Sequence, residues 1–89
     1  SILQNYPNPF NPNTTITLSI PDAGAVDLKI YDIRGRLVKQ LLNQVLPAGR
    51  HAIEWNGRNE QGQQVASGIY LGVMRFDQKR EVIKMQLIR

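Results

Sequence analysis

The chain has 89 residues, eleven Lys and Arg against seven Asp and Glu for a net charge of +4, and no cysteine. That length makes one domain with a modest core, and the missing cysteine excludes disulfides, thiolate zinc sites and cysteine nucleophiles. No apolar run approaches the length of a membrane span, and the basic residues are scattered rather than gathered into the aromatic-laced stripe that nucleic acid requires.

Ser1 is not an initiator methionine and no signal-peptide pattern follows it, so a module of a longer protein is expected. Residues 5–14, NYPNPFNPNT, hold three prolines and four asparagines. Pro7, Pro9 and Pro12 each fix φ and lack a backbone donor, which excludes helix and central strand. A plain spacer needs no rings, so Tyr6 and Phe10 indicate a segment pinned to the fold.

Period-two alternation then begins. In TTITLSI, Ile16, Leu18 and Ile20 share one face. PDAG turns the chain into AVDLKIYD, with Val26, Leu28 and Ile30 inward. DIRGR places Gly35 where a type I turn with a G1 bulge needs positive φ. RLVKQLLNQV fits either a helical face or a strand, and its place between hairpin-like units favours strand. LPAG leads into RHAIEWNG, where His51, Ile53 and Trp55 share a face. A polar, glycine-punctuated loop follows. SGIYLGVMRF and REVIKMQLIR then form a hairpin around DQKR, both consistent with interior strands. The expected fold is an all-β, antiparallel immunoglobulin-like sandwich of about seven strands. Its core is expected to include Ile16, Leu18, Ile20, Val26, Leu28, Ile30, Ile53, Trp55, Ile69 and Leu71.

Little in the sequence points to catalysis. The only histidine, His51, alternates with Ile53 and Trp55 as a structural residue would, and no triad motif accompanies it. Oxygens of Asn56, Asn59, Glu60 and Gln61 resemble a calcium loop loosely, but one carboxylate beside Arg58 is weak ligand charge. Asn side chains serving their own backbone explain that loop better. Trp55, Tyr31, Tyr70 and Tyr6 could stack on sugars, although a lone inward tryptophan more often plugs a sandwich core.

Four blocks, NYPNPFNPNTTITLSIP, VDLKIYDIRGRLV, AGRHAIEWNGRNEQGQQVASGIYLGVM and KMQLIR, together resemble the type A C-terminal sorting domain of the type IX (Por) secretion system of the Bacteroidetes. A broader relative is the immunoglobulin-like domain of the flagellar hook-capping protein, which shares the W-x-G-x-x-x-x-G and SGIY segments. The resemblance implies that residues 1–5 end an upstream linker and that 6–89 form the sorting domain. It implies no enzymatic activity and no cofactor. The implied function is a secretion signal that sends an attached extracellular protein through the periplasm and outer membrane to the cell surface or medium. Its implied partners are outer-membrane secretion machinery, a sorting peptidase and upstream cargo of the same chain.

Carried over by position, Tyr6, Pro7, Asn8, Pro9 and Phe10 match the first motif, which continues through Asn11 and Pro12. Gly68, Ile69 and Tyr70 match the central one, and Lys84 and Arg89 the basic residues of the last. The proline block is expected to hold the upstream linker clear of the fold. The terminal strand is expected to meet a receptor through charge and strand addition. The family usually has Asp where Asn56 and Asn59 stand, which weakens any ion-binding role. An accessory carbohydrate-binding module and a structural or assembly spacer are the alternatives.

Overall fold

The computed structural model describes residues 1–89 as seven antiparallel strands in two facing sheets. These are β1 (Ile2–Tyr6), β2 (Thr14–Ile20), β3 (Gly24–Asp32), β4 (Leu37–Leu46), β5 (Gly49–Trp55), β6 (Gly68–Phe76) and β7 (Lys79–Leu87). One sheet has the order β1-β2-β5 and the other β4-β3-β6-β7. The expected immunoglobulin-like sandwich is therefore the observed one. No helix is long and apolar enough to cross a membrane.

The core follows from alternation. Ile16, Leu18 and Ile20 on β2 face Val26, Leu28 and Ile30 on β3, and all six are buried. Segment 37–46, ambiguous by periodicity, is a strand because β3 offers it a partner along its length. Two irregularities in that ladder let Val38, Leu41 and Leu42 all lean toward the core, which is why the segment also mimics a helical face.

Both hairpins have readable turn chemistry. Gly35 takes φ +81 and donates its N–H to Asp32 O at 3.0 Å, the expected turn between β3 and β4. Between β6 and β7, Asp77 and Gln78 both take positive φ, the two-residue turn whose twist suits a hairpin.

Three expectations are corrected. Residues 1–5, read as the end of a linker, lie mostly in β1, which pairs with β2 from Ile2↔Leu18 to Tyr6↔Thr15. Strand β7, read as interior, lies at the edge of its sheet. On β6 the inward residues are Tyr70 and Met74, while Ile69 and Leu71 occupy the opposite face; only half-buried, they do not belong to the core. Both faces of β6 are apolar, so the sequence pattern carried no parity signal.

Candidate functional site

The proline block closes an edge. Its three X–Pro bonds are cis, and its prolines have no N–H to give. Asn8 supplies what the backbone lacks. Its side-chain amide donates to Lys84 O at 3.3 Å, and its Oδ1 accepts from Gln86 N at 3.0 Å, as a peptide group in a ladder would. One step on, Phe10 N–H donates to Gln86 O and Ile88 N–H to Phe10 O, both at 2.9 Å. The outer edge of β7 from Lys84 to Ile88 is thus paired along its main chain.

Behind this seam, Thr14 Oγ1 donates to Pro7 O at 2.8 Å and accepts from Asn5 Nδ2 at 3.3 Å. Asn5 Oδ1 accepts a further bond from the Asn8 amide, so the buried Asn5 is satisfied. Only one of the two rings pins the block: Phe10 is 2% exposed, whereas Tyr6 is 71% exposed. The segment before the block lies in the sheet rather than clear of the fold.

The central motif meets the block from the other side of β7. Ile69 stands opposite Gln86, Tyr70 opposite Met85 and Leu71 opposite Lys84. A cleft of about 250 Å³ is lined by Asn8, Pro9, Ile69, Lys84, Met85 and Gln86. Three blocks far apart in sequence therefore converge on one surface. Tyr70 serves the fold instead: its ring is buried edge-on to Trp55, with centroids 5.3 Å apart, and its hydroxyl donates to Ala66 O at 2.6 Å. Burial pushes the Tyr70 phenol up and Asp32 adds to the rise, while Arg89 opposes it.

Arg89 is also occupied. Its guanidinium donates to Val65 O at 2.6 Å and Gly57 O at 2.7 Å, and its N–H to Ser67 Oγ at 2.9 Å. Gly57 is needed there, because a Cβ would lie 2.9 Å from the Arg89 guanidinium and 3.2 Å from Pro12 O. The expectation of strand addition at the terminal strand is corrected by this arrangement. The edge of β7 near its end is already paired, and Arg89 ties the 57–67 loop down. Lys84, by contrast, is exposed with no ion pair.

The other candidates have structural roles. His51 Nε2 lies 2.8 Å from Pro47 O. In the 56–63 loop, Asn56 Oδ1 accepts from Arg58 N, and Asn59 Oδ1 from both Gln61 N and Gln63 N. Those oxygens serve their own backbone, as the asparagine-turn reading expected. Trp55 is 1% exposed, with Nε1 donating to Arg58 O at 3.0 Å, so it presents no face to a sugar. Sequence reasoning missed Asn5 and Thr14. A buried asparagine–threonine pair nine residues apart leaves no periodic trace.

The FlgD Ig-like domain family model matches residues 10–76. Among solved structures, the chain is similar to PorZ of Porphyromonas gingivalis, described as an essential bacterial surface component of the type IX secretion system. The two share 30% identity at a TM-score of 0.67, over 97% of this chain and 11% of that one. It is similar in fold to dimeric latent PorU from the same organism (23% identity, TM-score 0.74, 96% of this chain and 9% of that one). It is likewise similar in fold to FlgD from P. aeruginosa (23%, 0.62, 84% and 59%). The chain thus spans a small part of PorZ and PorU and over half of FlgD. No curated protein matches it. On a two-sheet, seven-stranded sandwich with most of its length inside the family match, the chain belongs to the FlgD Ig-like domain family.

Proposed function

We propose that this chain is a type A C-terminal sorting domain of the type IX secretion system. In this reading it is a non-catalytic sandwich that directs an attached extracellular protein across the outer membrane to the surface or medium. Outer-membrane secretion machinery and a sorting peptidase read it. The observation that carries the reading is the extent of the likeness to PorZ, 97% of this chain at 30% identity, where the FlgD family match stops at residues 10 and 76. The segments beyond that match are the ones that Asn8 and Gln86 join, beside Ile69 and Lys84. Asn8, Pro9, Ile69 and Lys84 form the recognised surface. Pro7, Phe10, Gly68, Tyr70 and Arg89 hold it in shape, and Tyr6 is the exposed ring beside it.

Truncating the last residues is a poor test, because Met85 and Leu87 are core residues and their loss unfolds the domain. A whole-domain exchange avoids this. A periplasmic reporter is fused to this chain, or to the Ig-like domain of FlgD from P. aeruginosa, in a type IX-competent host. The expected result is surface or medium appearance of the first fusion and periplasmic retention of the second. Retention of both sinks the sorting reading and favours the structural spacer that FlgD family membership suggests. Export of both shows that the sandwich alone is sufficient and that the added segments are not the signal.

A further inference from the structure

Strand β6 is apolar on both faces, and the outer one is only partly sheltered. From Ile69 to Met74 it reads IYLGVM, the continuous apolar run of a strand buried on both sides. Tyr70 and Met74 enter the core, and a Cβ at Gly72 would come within 3.1 Å of Ile83. The opposite face carries Ile69, Leu71 and Val73. Val73 is only 4% exposed yet lies outside the core cluster. Its cross-strand neighbours are Lys29 on β3 and Val82 on β7, the latter about half exposed.

Charge surrounds this apolar centre unevenly. Arg75 and Arg80 stand directly opposite each other across β6 and β7, and neither has an ion pair. Like charges in that register destabilise a sheet. Lys84, opposite Leu71, is also unpaired. The one acid of this face, Asp27, stands opposite Arg75 in the β3–β6 ladder without a direct ion pair to it, lies 3.6 Å from Lys29 and accepts a bond from Gln40. The face therefore runs into the Asn8–Lys84 cleft with three free cations around an apolar middle.

We propose that the outer face of the β4-β3-β6-β7 sheet is the docking surface for an acidic, apolar-ridged protein partner. Carboxylates of the partner would separate Arg75 from Arg80 and meet Lys84, while its apolar ridge covers Leu71 and Val82. A second copy of the chain is a poor occupant, because it would set the same cations against one another. The proposal deepens the sorting reading and rests on it, with the partner belonging to the export machinery.

The test compares two double variants with equal charge change in the reporter fusion. Arg75→Glu/Lys84→Glu alters the face; Arg34→Glu/Arg50→Glu alters a turn and the opposite sheet. Circular dichroism establishes that each folds. The expected outcome is a fall in export of about tenfold for the first pair, with the second unchanged. Normal export of both overturns the docking face and leaves the sorting reading standing, whereas failure of the unaltered fusion overturns the sorting reading. Independently of export, the isolated chain is titrated with a decapeptide alternating Glu and Leu, and amide shifts are followed by NMR. Shifts confined to β6 and β7, lost in Arg75→Glu/Lys84→Glu, support the face. No response, or a response only to anionic phosphatidylglycerol vesicles, overturns a protein partner.

Discussion

Trp55 sits where the two sheets and the proline block meet, its ring 5.6 Å from that of Phe10 and 5.3 Å from that of Tyr70. Its indole N–H also holds the loop at Arg58. Trp55→Ala removes a fully buried ring that its neighbours cannot replace by collapse. It should cost about 3 kcal/mol or more, read as a shifted urea midpoint with an unchanged slope. Asp32 is a second residue with a measurable signature. It accepts the N–H groups of Arg34 and Arg36 at 2.9 and 3.0 Å and the Arg36 Nε at 2.8 Å. The Arg36 backbone bond leads in holding its carboxyl below the ordinary 3.8, and partial burial of the carboxyl opposes it. A carboxylate whose folded pKa is depressed stabilises the fold above its unfolded value and loses that contribution as pH falls through the folded one. Asp32→Asn should therefore lower Tm at neutral pH, and the gap from the parent should close as pH falls below that ordinary value. A pH series of thermal melts checks this, and a gap that persists into acid would assign the loss to turn geometry instead of charge.

At the scale of elements, the proline block behaves as an eighth, partial strand built from one side chain and one peptide. Asn8→Ala removes both side-chain bonds to β7 and leaves Gln86 N–H without its partner. The expected cost is about 1 kcal/mol, and hydrogen exchange at Gln86 should accelerate far more than at Met74 on the neighbouring strand. How much of this was legible depended on which faces each strand shows to water. Strands β2 and β3 alternate cleanly, so their positions and inward residues followed from pattern alone. Strand β6 does not, because its outer face is apolar too, and Ile69 and Leu71 were thereby assigned to the wrong side. Strand β1 was invisible for the opposite reason. Its buried position is Asn5, satisfied by Thr14 and Asn8, and an irregularity between Ile2 and Gln4 breaks the alternation. The convergence of Asn8, Ile69 and Lys84 could not be read at all, since it depends on β7 lying at an edge. That placement is set by topology and not by local propensity.

For the molecule as a whole, the two sides of the sandwich are managed differently. On one side, β1 and the proline block run beside β7, with Ile2 N–H donating to Glu81 Oε1 and Phe10 pairing with Gln86 and Ile88. That side has little free ladder. On the other, β4 is guarded by its two irregularities, by Glu60 N–H on Val38 O and by the Lys39–Glu60 pair, while β5 sets exposed Arg50 and Glu54 along its length. Deleting residues 1–9 strips only the first side. It leaves Phe10, Trp55 and the facing core of β2 and β3 in place, within the span that the FlgD family match covers. It also bares β2, a regular, uncharged TTITLSI strand with no proline, and frees the Lys84–Gln86 edge of β7. An uncharged, unbroken edge strand is a template for another chain. The truncated domain should therefore keep its β-sheet circular dichroism but self-associate at about 100 μM, while the full chain stays monomeric. Light scattering after size exclusion decides between the two. A truncated chain that remains a folded monomer would mean that β1 and the proline block do not serve to seal the sandwich. Their contribution would then lie in the surface they help to build around Asn8 and Lys84.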